Sequence, residues 1–199
     1  MADPILKSVT IRPARLSDST TLRQMHEQSL RVLAADCYTE AEIDAFLAHI
    51  GTMDDFLLHE GTYYVVVHGD AIVASGGWSR KMPNYAVVSG GDRPPVTLGV
   101  PKIRSMFVHP MFARRGLATL LARRAETEVV AAGYDEIELT ATLSGVPFYA
   151  ALGYQNVRLY AAHCPGDIVV RGQVMHKRLS VTDIGDDSLP DSASHADAL

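Results

Sequence analysis

Two cysteines in 199 residues are too few for a disulfide framework, and Cys37 and Cys164 read as reduced thiols. No apolar run approaches the ~20 residues that a membrane span needs, so no membrane partner is expected. The opening Met1-Ala2-Asp3-Pro4 lacks a basic region followed by a long apolar run, which argues against an export signal and for a cytoplasmic location. An excess of basic charge is missing too. The formal charge of -5 comes from five aspartates in residues 181–199, and outside that stretch 18 acidic residues face 18 basic ones. That balance leaves no footprint for a nucleic acid. None of the eight histidines stands in His-x-x-x-His spacing, so no metal is expected. The glycines match neither Gly-x-x-x-x-Gly-Lys-Ser/Thr nor Gly-x-Gly-x-x-Gly, which removes support for a nucleotide triphosphatase or a dinucleotide site.

What is present reads as one α/β domain over residues 1–180, followed by an acidic tail at 181–199 whose Asp/Ser/Ala composition predicts disorder. Residues 8–12 read as a first strand, with Asp18 placed to cap the next helix. Thr39 and Glu42 have capping-box spacing, and Ile43, Phe46, Leu47 and Ile50 follow at helical intervals up to Gly51. Residues 61–68 and 71–78 are β-rich and separated by Gly69-Asp70, a hairpin signature. Residues 79–99 read as a long connection able to shape a pocket, with a short strand at 86–89. Strand 102–108, helix 116–133 and strand 136–142 form a crossover whose strands should be parallel. A short helix at 146–152 and two last strands, near 155–161 and 167–177, complete a mixed, mostly antiparallel sheet of six to seven strands with about four helices.

The chemistry gathers at Met106-Phe107-Val108-His109-Pro110-Met111-Phe112-Ala113-Arg114-Arg115-Gly116-Leu117-Ala118-Thr119. A strand runs into a turn with two arginines, then a glycine, then a helix whose first turn is small. Unpaired N–H groups and the helix dipole make such a start an anion site. Larger side chains at Gly116 or Ala118 would hold a phosphate away, and Arg114 and Arg115 supply charge. A basic loop that is merely solvated is the plain alternative.

This segment resembles the acetyl-CoA motif of the GNAT superfamily of N-acetyltransferases, Gln/Arg-x-x-Gly-x-Gly/Ala. Arg115, Gly116, Leu117 and Ala118 fit, while Ala113 stands at the motif's first position and removes one side chain. Pro147-Phe148-Tyr149-Ala150-Ala151-Leu152-Gly153-Tyr154 resembles the same family's late helix, and Ile11-Arg12-Pro13-Ala14 with Asp18 its opening. The likeness spans residues 8–178. It implies a GNAT-like fold, acetyl-CoA as cosubstrate and transfer to a primary amine of a small molecule or peptide by direct attack. It also implies that Met106, Phe107, Val108, Arg114, Arg115, Gly116, Leu117, Ala118 and Thr119 bind acetyl-CoA. The main chain of 106–108 would pair with the pantetheine arm and donate to the oxyanion.

By position, the resemblance gives Tyr149 the role of the acid that protonates the departing thiolate. Glu138, alternating with Ile137 and Leu139, is a candidate base, beside His109 or a water chain. Cys37 reads as an ordinary thiol rather than an acyl carrier. Tyr38, Trp78 and Arg80, with the loop at 81–99, are candidate acceptor walls; core packing is the alternative for both aromatics. The fold is also compatible with a homodimer through the last strands. Two further readings remain: a non-catalytic CoA sensor of the same fold, and an interaction domain binding another anion.

Overall fold

A computed structural model describes residues 3–81 and 99–180. The expected strand at 86–89, most of the loop at 81–99 and the tail at 181–199 lie outside the described residues. The elements are β1 (Val9–Pro13), α1 (Ser19–Leu33), α2 (Glu40–Ala45), α3 (Leu57–Glu60), β2 (Tyr63–His68), β3 (Ala71–Ser79), β4 (Lys102–Val108), α4 (Leu117–Ala131), β5 (Glu136–Thr142), α5 (Val146–Ala151), β6 (Gln155–Cys164) and β7 (Ile168–Arg178). A π-helical turn, Phe46–Ile50, prolongs α2. The described strands form one sheet in the order β1-β2-β3-β4-β5-β7-β6.

Alternation on β2 decides the layers. Tyr63 and Val65 pack with Leu22 and Met25 of α1, whereas Tyr64 and Val66 pack with Leu117 and Leu121 of α4. Both faces of the strand are therefore covered, which is why it reads as an unbroken apolar run. The Thr39–Glu42 box forms as expected: Glu42 N–H donates to Thr39 Oγ1 at 3.3 Å, and Thr39 N–H to the Glu42 carboxylate at 2.8 Å. Asp18 differs from expectation. It stands before α1 but makes no side-chain cap there, because its carboxylate accepts from the Arg12 guanidinium at 2.7 Å and from Arg15 N–H at 2.8 Å.

Two departures from regular pairing shape the centre. β3 and β4 run antiparallel with Ser75 opposite Phe107 and Gly77 opposite Arg104, so β4 carries one residue more across that interval. Ser105 sits there at φ 48, a left-handed conformation unusual for a side-chain-bearing residue. The Met106 side chain packs over Gly76, its sulfur 2.5 Å from where a Cβ there would be. The second departure is the β4–β5 pairing. These strands are parallel, as expected, but register only at Lys102 and Glu138. Beyond that point they diverge, leaving facing main-chain edges unpaired along the rest of both strands.

Candidate functional site

The divergence opens into a cavity of about 690 Å³. Ile103 to Val108 all line it in unbroken succession, as expected where a cavity opens along a strand's main-chain edge. From β5 come Leu139 to Thr142, and from α5 Phe148 and Tyr149. The far wall is mostly apolar and includes Leu30, Leu33, Tyr38, Phe46, Ile50 and Tyr160.

At the other end the cavity meets the basic turn. Arg114 (φ 62) and Gly116 (φ 85) are both left-handed. Gly116 stands at the N-cap of α4 and has no side chain to satisfy the first N–H groups, so those donors remain available. Arg114, Gly116, Leu117, Ala118 and Thr119 line the cavity. Arg115 does not; it faces a neighbouring surface depression with His109 and lies over the Phe112 ring at 5.9 Å. The N-terminal Leu6 approaches the turn as well, 3.4 Å from where a Cβ on Gly116 would be.

Tyr149 is buried, with its ring against Phe148 and Tyr154 at 4.8 and 5.6 Å. Burial pushes its phenol pKa upward, so the hydroxyl stays protonated across the neutral range. Tyr38 also lines the cavity, but its hydroxyl is committed: it donates to Arg171 O at 2.5 Å and accepts from Leu143 N–H at 2.8 Å. Desolvation raises its pKa, while the Leu143 N–H pulls it down.

Three of the sequence candidates sit elsewhere. Glu138 is outside the cavity lining and its carboxylate is ion-paired to Lys102. Trp78 pairs in register with Ile103, near the start of β4; its indole donates to Glu128 of α4 at 3.0 Å. Arg80 donates to Gly99 O at 3.1 Å and stacks over Tyr134 at 4.8 Å. Neither lines the cavity; both lie just past the bulge, where the antiparallel register carries the end of β3 to the beginning of β4. His109 uses Nδ1 to accept from Met111 N–H at 3.2 Å, fixing the turn after β4. Cys37 is exposed and absent from the cavity wall.

Two features have no clear signal in the sequence. Arg104 and Asp54 form a buried ion pair in the cavity wall, with side chains 5% and 10% exposed. They are far apart in the chain, and neither sits in a motif. Behind the bulge lies a buried polar cluster of His26, Ser75 and Tyr63. His26 also stacks on Phe107, ring centroids 4.3 Å apart.

Comparison with known proteins follows this geometry. The profile of the acetyltransferase (GNAT) family matches residues 27–154. A GCN5-related N-acetyltransferase from Rhodopseudomonas palustris superposes with a TM-score of 0.67 at 19% identity, covering 90% of this chain and 99% of that one. The PaiA N-acetyltransferase from Thermoplasma acidophilum, solved in complex with coenzyme A, gives 0.61 at 14% identity, covering 86% and 99%. An N-acetyltransferase from Staphylococcus aureus Mu50 gives 0.55 at 15% identity, covering 86% and 99%. No curated protein matches the chain. At these identities the solved structures establish a shared fold.

Proposed function

The chain belongs to the acetyltransferase (GNAT) family, and from that premise we propose that it transfers the acetyl group of acetyl-CoA to a primary amine by direct attack. One observation carries this reading. A single cavity joins a main-chain edge freed by the β4–β5 divergence, the left-handed turn at Arg114–Gly116 and the buried hydroxyl-bearing Tyr149. The open helix start and Arg114 would hold the pyrophosphate. The edge of Met106 to Val108 would pair with the pantetheine amides as an added strand, and Leu117, Ala118 and Thr119 would leave room for the phosphates. Arg115, on the outer side of the turn, would meet the nucleotide end.

In the reaction the amine nitrogen attacks the thioester carbonyl, and main-chain N–H groups at the bulge stabilise the oxyanion. The C–S bond then breaks, the thiolate takes the Tyr149 proton, the new amide nitrogen loses a proton to solvent and the Tyr149 phenolate regains one from solvent, so the tyrosine ends as it began. Burial keeps the phenol protonated at neutral pH but also makes it a weaker acid, so the transfer depends on the thiolate forming directly against the hydroxyl. The apolar wall of Leu30, Leu33, Phe46 and Ile50 suits an acceptor whose amine is attached to an apolar body. Tyr38 would act there as wall rather than as proton carrier, since both faces of its hydroxyl are taken. Ion-paired Glu138 has no part in the reading, and water serves as the final base.

Calorimetric titration of acetyl-CoA into the wild type and into Gly116→Asp tests the proposal. Micromolar binding to the wild type, lost in the variant, is the expected result. Absence of binding to the wild type at millimolar ligand would refute it.

A further inference from the structure

The bulge at Ser105 must be held in place, because a left-handed serine is less stable than an extended one. Its support comes from the far side of the sheet. The Tyr63 hydroxyl lies 2.9 Å from Ser105 O and 3.0 Å from Ser75 Oγ. Ser75 Oγ in turn lies 2.7 Å from His26 Nε2, and His26 Nδ1 lies 3.3 Å from Thr52 Oγ1. His26, Tyr63 and Ser75 are each no more than 1% exposed.

The hydrogens in this row can be placed by elimination. A carbonyl only accepts, so Tyr63 donates its single hydroxyl hydrogen to Ser105 O. The contact between Tyr63 and Ser75 must then use the Ser75 hydrogen. That leaves Ser75 Oγ to accept from His26, which therefore carries its proton on Nε2. Nδ1 is left to accept from the Thr52 hydroxyl. Every hydrogen in the row then points toward the bulge, and the row begins at Thr52, itself on the cavity wall.

We propose that Tyr63, aligned by Ser75 and His26, is a positioning residue that locks the Ser105 carbonyl and so aims the main chain of Met106 and Phe107 at the thioester carbonyl. The inference rests on the acetyl-CoA reading above and adds the device that pre-organises its oxyanion donors. His26 contributes twice, through the hydrogen-bond row and by stacking on Phe107, one of the two residues whose main chain is aimed.

The test compares acetyl-CoA with S-ethyl-CoA, which lacks the carbonyl, by calorimetry on the full chain. One hydrogen bond to the carbonyl predicts a wild-type preference of roughly 3- to 10-fold for acetyl-CoA. Tyr63→Phe should bring that ratio close to one while leaving the S-ethyl-CoA affinity within about twofold of wild type. Adding Ser105→Gly to Tyr63→Phe should restore part of the ratio, because glycine adopts positive φ without strain. A merely structural tyrosine would instead weaken both ligands together, with no recovery from the glycine.

A ratio unchanged in Tyr63→Phe, an equal loss of both ligands, or a wild type without preference would each overturn the inference. Failure of both ligands to bind the wild type would sink the acetyl-CoA reading itself. If Tyr63→Phe does not fold, Ser75→Ala takes its place; a smaller loss of the ratio supports the inference, and an unchanged ratio overturns it.

Discussion

Lowering the pH from 6.5 to 4.5 should destabilise this protein through one residue, His26. Its imidazole is fully buried, and burial, reinforced by Arg23, lowers its pKa from 6.5 to about 3. The folded state thus binds His26's proton far less readily than the unfolded chain does. Stability contributed by the neutral ring is complete above 6.5 and is lost as pH falls toward 3, because the unfolded state takes up the proton first. Each pH unit well inside that window removes about 1.4 kcal/mol; because the unfolded imidazole is only half protonated at 6.5, the fall to 4.5 removes about 2 kcal/mol. Carboxylates whose pKa values are lowered, such as Asp18 beside Arg12 and Glu42 in its capping box, start to contribute only near and below 4.5. The upper window therefore isolates the histidine contribution. Urea unfolding at pH 7.5, 6.5, 5.5 and 4.5, at constant ionic strength, measures it. His26→Gln, which can still donate toward Ser75 but does not titrate, should flatten the slope at some loss of stability at pH 7.5. A wild-type stability that is flat from 6.5 to 4.5, or a variant with the wild-type slope, would refute the reasoning.

Other substitutions probe the remaining parts. Tyr149→Phe should leave acetyl-CoA affinity within about twofold but lower turnover by roughly 10²-fold or more, the usual size of a general-acid contribution; thiol release with an accepted amine measures it, and unchanged turnover would remove Tyr149 from the mechanism. Asp54→Ala strips the carboxylate from buried Arg104, which among the described residues keeps Lys81 O at 3.1 Å and its place over the Phe56 ring at 5.7 Å. That should lower unfolding stability by about 3–5 kcal/mol, and a change below about 1 kcal/mol would show the pair to be better solvated than its burial implies. Thr39→Ala removes a side-chain cap and should lower stability by about 1 kcal/mol without altering ligand binding, as read by urea unfolding beside calorimetry.

How much of this was legible in the sequence depends on the range of the signal. The β2–β3 hairpin, the Thr39–Glu42 box and the β4–α4–β5 crossover are written in neighbouring residues, and all three form. The relation of the last strands is not local: β7, not β6, pairs with β5, and nothing in two consecutive strand patterns says which one will be inside. Trp78 and Arg80 looked like acceptor walls because they precede a long loop. The antiparallel register instead carries them to the start of β4, where Trp78 satisfies Glu128 on α4. Asp18 had the position of a helix cap, but an arginine six residues earlier claims its carboxylate at two points. Local rules cannot see such competition.

The site itself shows the same division more sharply, because much of it is main chain. Backbone donors leave a trace in sequence only where a residue must be special to free them. Gly116 is such a residue, and its φ of 85 accounts for the glycine. Ser105 does the equivalent job on β4 at φ 48, yet serine carries no mark of that conformation. The information has been moved into its supports, Tyr63, Ser75 and His26, which are spread over three elements and look singly like ordinary core residues. A pre-organised backbone site can thus be specified by glycine, locally and visibly, or by a buried hydrogen-bond row, remotely and silently. The first way leaves the turn free to relax, whereas the second ties it to the core. That difference suits the two roles proposed above: a phosphate grip has to admit a ligand, and an oxyanion turn has to hold still during the reaction.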